Sequence, residues 1–156
     1  MLRLLSILSI TFLPRTLIAA NAPPKIFVDK GACPFECCTY REWTTEKDTD
    51  LFDSVDGKKK VGKAKKGEKV TALTGEVHTI PMKVKTNEGK ELYVLTSQGE
   101  GFWKVWEDGK VVENVTETWQ TEKPVQSTWW IQIKLSNGVT GWTKESKNFG
   151  NKDACG

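Results

Sequence analysis

Four cysteines, one histidine and seven tryptophans carry the distinctive chemistry of this 156-residue chain. Cys33, Cys37, Cys38 and Cys155 can pair as disulfides, or Cys33, Cys37 and Cys38 can form a metal centre with His78. The Cys-x3-Cys-Cys spacing matches no familiar zinc framework, and adjacent cysteines fit poorly around one tetrahedral ion. Pairing is therefore expected, and no metal. Catalysis by a nucleophile or by an acid–base pair needs a base within reach of the reacting group. His78 falls between Val77 and Ile80-Pro81 with no partner in the pattern. Carboxylates such as Glu113 and Glu117 do not stand out from solvated charge. The expectation is a protein that is not an enzyme and takes no cofactor.

Rings are then the groups available for recognition. Trp129, Ile131, Ile133 and Leu135 alternate with Trp130, Gln132 and Lys134, a period of two that reads as a half-buried strand. Trp129 falls on its core face and Trp130 on the other. In Phe102–Trp106, Trp103 and Val105 share one face while Phe102 and Trp106 share the opposite one. Both faces are apolar, which is more than a single core requires. Trp106, Trp130, Trp142 and Tyr93 are read as an aromatic groove suited to an extended peptide or a glycan ring. Glu42 and Trp43 are candidates for its lining.

Residues 1–20 read as a secretory signal peptide. Arg3 precedes the apolar run Leu4–Leu13, which is too short to span a bilayer comfortably, and Ala19-Ala20 offers small residues before a cut. Its removal takes Arg3 and Arg15 from the 23 basic residues and leaves 21 against 20 acidic ones. That balance exerts no general pull on nucleic acid, and the Lys58–Lys69 cluster, interleaved with Gly and Glu, reads as solvated loop. No later run is long and apolar enough to cross a membrane, so no stable insertion is expected after signal removal. The implied location is secreted or periplasmic, where cysteines pair. A local Cys33–Cys38 bridge with a long Cys37–Cys155 bridge is favoured. The exchange of Cys37 and Cys38 stays open, and direct Cys37–Cys38 bonding is ranked last because adjacent residues need a strained ring.

These groups need elements to hold them. Asp56-Gly57, Lys66-Gly67, Asn87-Glu88-Gly89, Asp108-Gly109 and Asn137-Gly138 are turn signals separating alternating stretches, the pattern of an all-β fold. Val70–Val77 reads as one continuous alternating strand, and helix is expected only as a short turn near Lys144–Asn148. The predicted organisation is a small β-barrel over 48–146 with an inserted β-hairpin at Phe102–Val115. A disulfide-pinned Cys-containing N-terminal segment, 21–47, precedes it, and a C-terminal tail, 147–156, carries Cys155.

Three motifs follow one another in order. They are Leu51-Phe52 with Asp56-Gly57 and Val61-Gly62; Lys65-Lys66-Gly67-Glu68-Lys69-Val70; and Trp129-Trp130 through Gly138 to Gly141-Trp142. Together they resemble the opening strand, the Lys-Gly-Glu turn and the closing strands of bacterial Src-homology 3 (SH3) type domains, over Thr49–Lys144. The Cys-rich segment lies outside that pattern, and the interval 74–128 is longer than a minimal barrel needs. The resemblance implies an SH3-like, partly open barrel of the kind attached to cell-wall enzymes, which binds peptidoglycan or peptide segments. It places the first Trp of a Trp pair beside the ligand, which favours Trp129, whereas alternation favours Trp130; both stay open. The expected function is a non-catalytic exported binding module of the cell envelope, recognising a peptide or peptidoglycan. The alternative is a structural or interaction protein that docks on an envelope protein through its exposed hairpin.

Overall fold

The computed structural model describes residues 22–121 and 123–155. The expected signal peptide lies outside them. The described chain is nearly all β, as the turn signals predict. Its strands are, in chain order, β1 (Phe27–Lys30), β2 (Glu42–Thr45), β3 (Thr49–Phe52), β4 (Lys60–Ala64), β5 (Lys69–Thr79) and β6 (Met82–Lys85). They continue with β7 (Glu91–Gly99), β8 (Phe102–Glu107), β9 (Lys110–Thr116), β10 (Ser127–Lys134), β11 (Thr140–Thr143) and β12 (Phe149–Gly150). Two antiparallel sheets result. One has eight strands, in the order β12-β2-β5-β10-β11-β3-β4 with β1 added on β5, and curls into a half-barrel. The other has four, in the order β6-β7-β8-β9.

Strand β5 organises the larger sheet. One edge takes β2 at Lys69–Thr71 and β1 at Glu76–Thr79, while the other pairs with β10. Thr74 and Ala72 stand opposite Gln132 and Ile133, so Leu73 is an extra residue. This bulge shifts the two-residue alternation. Val70 and Ala72 before it, and Gly75, Val77 and Thr79 after it, all turn inward, and Leu73 is left 41% exposed. A strictly alternating strand would have sent one of these groups to solvent.

The core of this sheet holds Trp43, Leu51, Val70, Ile131, Ile133, Leu135 and Phe149. Trp43 comes from the Cys-containing segment and Phe149 from the tail, so the half-barrel extends past 48–146 at both ends. Gly75 has to be glycine, because a Cβ there would collide with Tyr40 Oη, Trp129 Nε1 and the Trp130 carbonyl. The Tyr40 hydroxyl accepts from Trp129 Nε1 at 3.1 Å and donates to the Ala32 carbonyl. Burial raises the pKa of this phenol above its ordinary value, the Trp129 hydrogen bond opposing it only in part. A raised folded-state pKa contributes stability that is complete below the unfolded value of about 10 and is lost as pH rises through the folded value. The unfolding midpoint should therefore fall with increasing pH above 10. Tyr40→Phe should flatten that decline, and an identical decline in the variant would contradict the role given to Tyr40.

The disulfides are Cys33–Cys38 and Cys37–Cys155, with Cα–Cα distances of 5.5 and 5.6 Å. A β-bridge between Cys38 and Asp153 runs beside them, and the Arg41 guanidinium donates to the backbone carbonyl and side-chain oxygen of Asn151. The Cys-containing segment is thus pinned to the chain end, as expected.

The expected hairpin is present as β8–β9, its turn formed by Asp108 and Gly109 with φ of 50° and 81°. Positive φ at both central residues is what a tight hairpin turn demands. Strands β6 and β7 extend it to a sheet with its own core of Val84, Leu92, Val94, Val105 and Trp119. The insertion is therefore larger than a hairpin, and its own core accounts for the apolar face of Trp103 and Val105. Trp103 and Val105 pack on this second core. Lys104 ties the sheets together, its ammonium lying 3.0 Å from Asp29 on β1 and 3.1 Å from Glu113 on β9.

Candidate ligand groove

Alternation along β10 places the candidate side chains. Ile131 and Ile133 enter the core, so Trp130 and Gln132 lie on the outer face. Cross-strand register adds Trp142, opposite Gln132, and Phe52, opposite Trp142. Trp129 instead packs against the core, with its ring centroid 6.0 Å from that of Trp43. Of the two tryptophans left open by the sequence, Trp130 is the one on the outer face.

Two hollows meet at Trp130. The first, of about 440 Å³, is bordered by Asp48, Asp50, Phe52, Asp56, Lys63 and Glu145 among others. The second, of about 500 Å³, is bordered by Ile26, His78, Ile80, Gln126 and Thr128 among others. Asp56, Trp130 and Lys144 border both. Lys144 Nζ lies 5.8 Å from the centroid of the Trp130 ring, within cation–π range. The Trp130 ring is itself only 6% exposed, so it forms a floor rather than a protruding blade.

Four carboxylates border the first hollow, two of them in ion pairs. Its Asp48 carboxylate accepts from the Lys66 backbone N–H and from Lys65 Nζ, each at 3.0 Å, and both bonds hold its pKa below the ordinary value. The Asp50 carboxylate lies 2.7 Å from Lys60 Nζ, and that contact lowers its pKa likewise. Asp56 and Glu145 form no ion pair with any described residue. Lys60, Lys63 and Lys65 thus pair with Asp48 and Asp50, and Asp56 and Glu145 are left beside Lys144. Four of the seven lysines of the Lys58–Lys69 cluster, Lys60, Lys63, Lys65 and Lys69, are held in ion pairs.

The structure separates the residues expected to form one groove. Trp130 floors both hollows, and Trp142 lies half-buried on the same face beside Phe52. Tyr93 and Trp106 face each other across β7 and β8 on the smaller sheet, so they do not converge with Trp130 and Trp142. Trp43 does not line a groove: it is 0% exposed, and its indole N–H donates to the Thr39 carbonyl at 3.0 Å. Glu42 points to solvent and pairs with Lys69 at 2.7 Å. Both corrections have one cause. Strand β2 sends Trp43 and Thr45 inward and Glu42 and Thr44 outward, on an outer edge of β5 away from β10. The residues missed from sequence are Phe52, Asp56, Lys144 and Glu145. Phe52 had a signal, since it alternates with core Leu51, while Asp56 looked like turn punctuation.

His78, which the sequence left without a partner, has one in the fold. It stands in β5, part-buried, with Nε2 3.0 Å from a Glu76 carboxylate oxygen. Cys37, Asp153 and Cys155 approach one another as metal ligands would, but both sulfurs are bonded in the disulfide. Comparison with protein-family models, with curated proteins and with solved structures finds no match.

Proposed function

We propose that this chain is a non-catalytic exported binding module of the cell envelope, with an SH3-like half-barrel that holds a peptide or the peptide part of peptidoglycan across Trp130. The observation that carries this reading is that Asp56, Trp130 and Lys144 border both open hollows, so a chain laid across the indole would touch both. Aromatic rings give such a groove apolar contact at little entropic cost, and acidic rims select amine-bearing segments. The disulfides fit an oxidising compartment. Among the described residues, no helix is long and apolar enough to cross a membrane.

Co-sedimentation with purified peptidoglycan tests the reading. The wild type is expected to pellet with the sacculi, and added salt should weaken the binding. Trp130→Ala should weaken it at least tenfold, as loss of a central tryptophan does in well-packed sites. Because Trp130 is mostly buried, the double variant Asp56→Asn/Glu145→Gln is the companion. It changes charge alone and should lower both the affinity and the salt dependence while the unfolding midpoint holds. Absence of wild-type binding to sacculi and to cationic peptides alike would refute the proposal.

One observation favours the second reading, docking on an envelope protein. Tyr93, Trp106 and Val111 are register neighbours on one face of the smaller sheet, and Val111 is 38% exposed. Loss of partner capture in Val111→Lys, with sacculus binding unchanged, would support it.

A further inference from the structure

The second hollow at Trp130 carries the chain's one histidine. Glu76 and His78 stand on the outer face of β5, with Trp130 opposite the first and Thr128 opposite the second on β10. His78 Nε2 lies 3.0 Å from a Glu76 carboxylate oxygen. An ionised carboxylate only accepts, so Nε2 carries the proton and Nδ1 keeps its lone pair. Nδ1 bonds to no described residue and is not sealed from solvent. The His78 side chain as a whole is 18% exposed, at the edge of an open hollow.

The surroundings leave that lone pair to a ligand. Ile26, Ile80, Pro124 and Val125 border the same hollow and are apolar. Val28 on β1 and Thr128 on β10, the register neighbours of His78, carry no charge. The charged groups nearby are Glu76 itself, Lys30 opposite it on β1, and Asp56 and Lys144 beside Trp130. A bare imidazole nitrogen accepts a hydrogen bond and repels a second acceptor. An extended peptide offers backbone N–H donors along its whole length. We infer that His78 is a ligand-contacting residue: its Nδ1 accepts a hydrogen bond from a backbone N–H of the peptide laid across Trp130, and protonation of Nδ1 weakens the hold. Histidine ordinarily changes charge between about pH 8 and pH 5. The added proton turns the acceptor into a donor, so that donor faces donor. This inference rests on the reading of the Trp130 groove, to which it adds a polar contact and a pH dependence.

The test titrates the full chain with a soluble peptidoglycan fragment that carries its stem peptide, at about pH 7.5 and about pH 5.5. NMR reads the Trp130 indole N–H and the His78 ring nitrogens together. At the higher pH the free protein should show Nε2 protonated and Nδ1 bare, and the Nδ1 signal should move on saturation. Affinity read at Trp130 should be roughly five- to tenfold weaker at the lower pH, the loss expected when a hydrogen bond gives way to an unpaired donor. His78→Phe should bind weakly and equally at both pH values. His78→Asn, whose amide oxygen restores an acceptor that does not titrate, should regain part of the affinity at both. Unchanged indole signals at Trp43 and Trp129 confirm the fold of each variant. Saturation at Trp130 with equal wild-type affinity at the two pH values, or with the proton on Nδ1 at the higher one, would overturn the inference and leave the groove standing. A pH-dependent loss that persists in His78→Phe would overturn it too, by tracing the effect to another group. No saturation at Trp130 at either pH would overturn the groove reading, and this inference with it.

Discussion

Replacing both members of the long bridge, Cys37→Ser with Cys155→Ser, is expected to cost about 4–5 kcal/mol and to lower the unfolding midpoint by roughly 10–20 °C. The bridge joins residues 118 apart in sequence, so its loss restores a large volume of conformations to the unfolded chain. The folded ends should keep their places, because Arg41 still donates to Asn151 and the Cys38–Asp153 bridge pairing needs no sulfur from position 37 or 155. The short bridge behaves differently. Cys33 and Cys38 are only 5 residues apart, and the same entropy argument gives about 2 kcal/mol for Cys33→Ser with Cys38→Ser. Thermal unfolding of the two double variants side by side checks the ordering. A short-bridge variant that is less stable than the long-bridge one would show that chain entropy is not what the long bridge supplies.

Trp43→Ala is expected to cost about 3–5 kcal/mol, comparable to the loss of the long bridge. Trp43 is fully buried and its ring lies 6.0 Å, centroid to centroid, from each of Tyr40, Trp129 and Phe149. Truncation leaves a cavity where the Cys-containing segment, β10 and the tail come together. It also strips the Thr39 carbonyl of its indole donor. Trp43→Phe keeps most of the volume and should cost about half as much or less. Denaturant unfolding with a shared slope measures both. A loss below about 1 kcal/mol in Trp43→Ala would mean that the position is a surface of the kind the sequence reading expected, not the centre of a core.

The strands and their turns were legible because their signals are local. Alternation over Trp129–Leu135, Asn137-Gly138 and Asp108-Gly109 each fix backbone geometry within a few residues. Pairings that close the half-barrel are not local. Strands β1, β2 and β12 have at most four residues each, and they matter only through partners far along the chain. Trp43 looked like a candidate for a groove because it sits among Arg41, Glu42, Thr44 and Thr45, and nothing nearby announces a core. The bulge at Leu73 is equally silent, since Val70–Val77 alternates well enough on paper. Tyr93 and Trp106 were grouped with Trp130 because all are aromatic. Their separation depends on the insertion being large enough to build a second core, which no short window reveals. The acidic rim escaped notice because Asp48, Asp50, Asp56 and Glu145 come from two distant stretches that only the fold unites.

The most direct measurement is a titration with a soluble peptidoglycan fragment bearing an amine, read at the indole N–H of every tryptophan by NMR. The account predicts saturable, salt-sensitive shifts at Trp130 and smaller ones at Trp142, with Trp106 unmoved. Movement centred on Trp106, or no saturable movement at Trp130 at any accessible concentration, would contradict it.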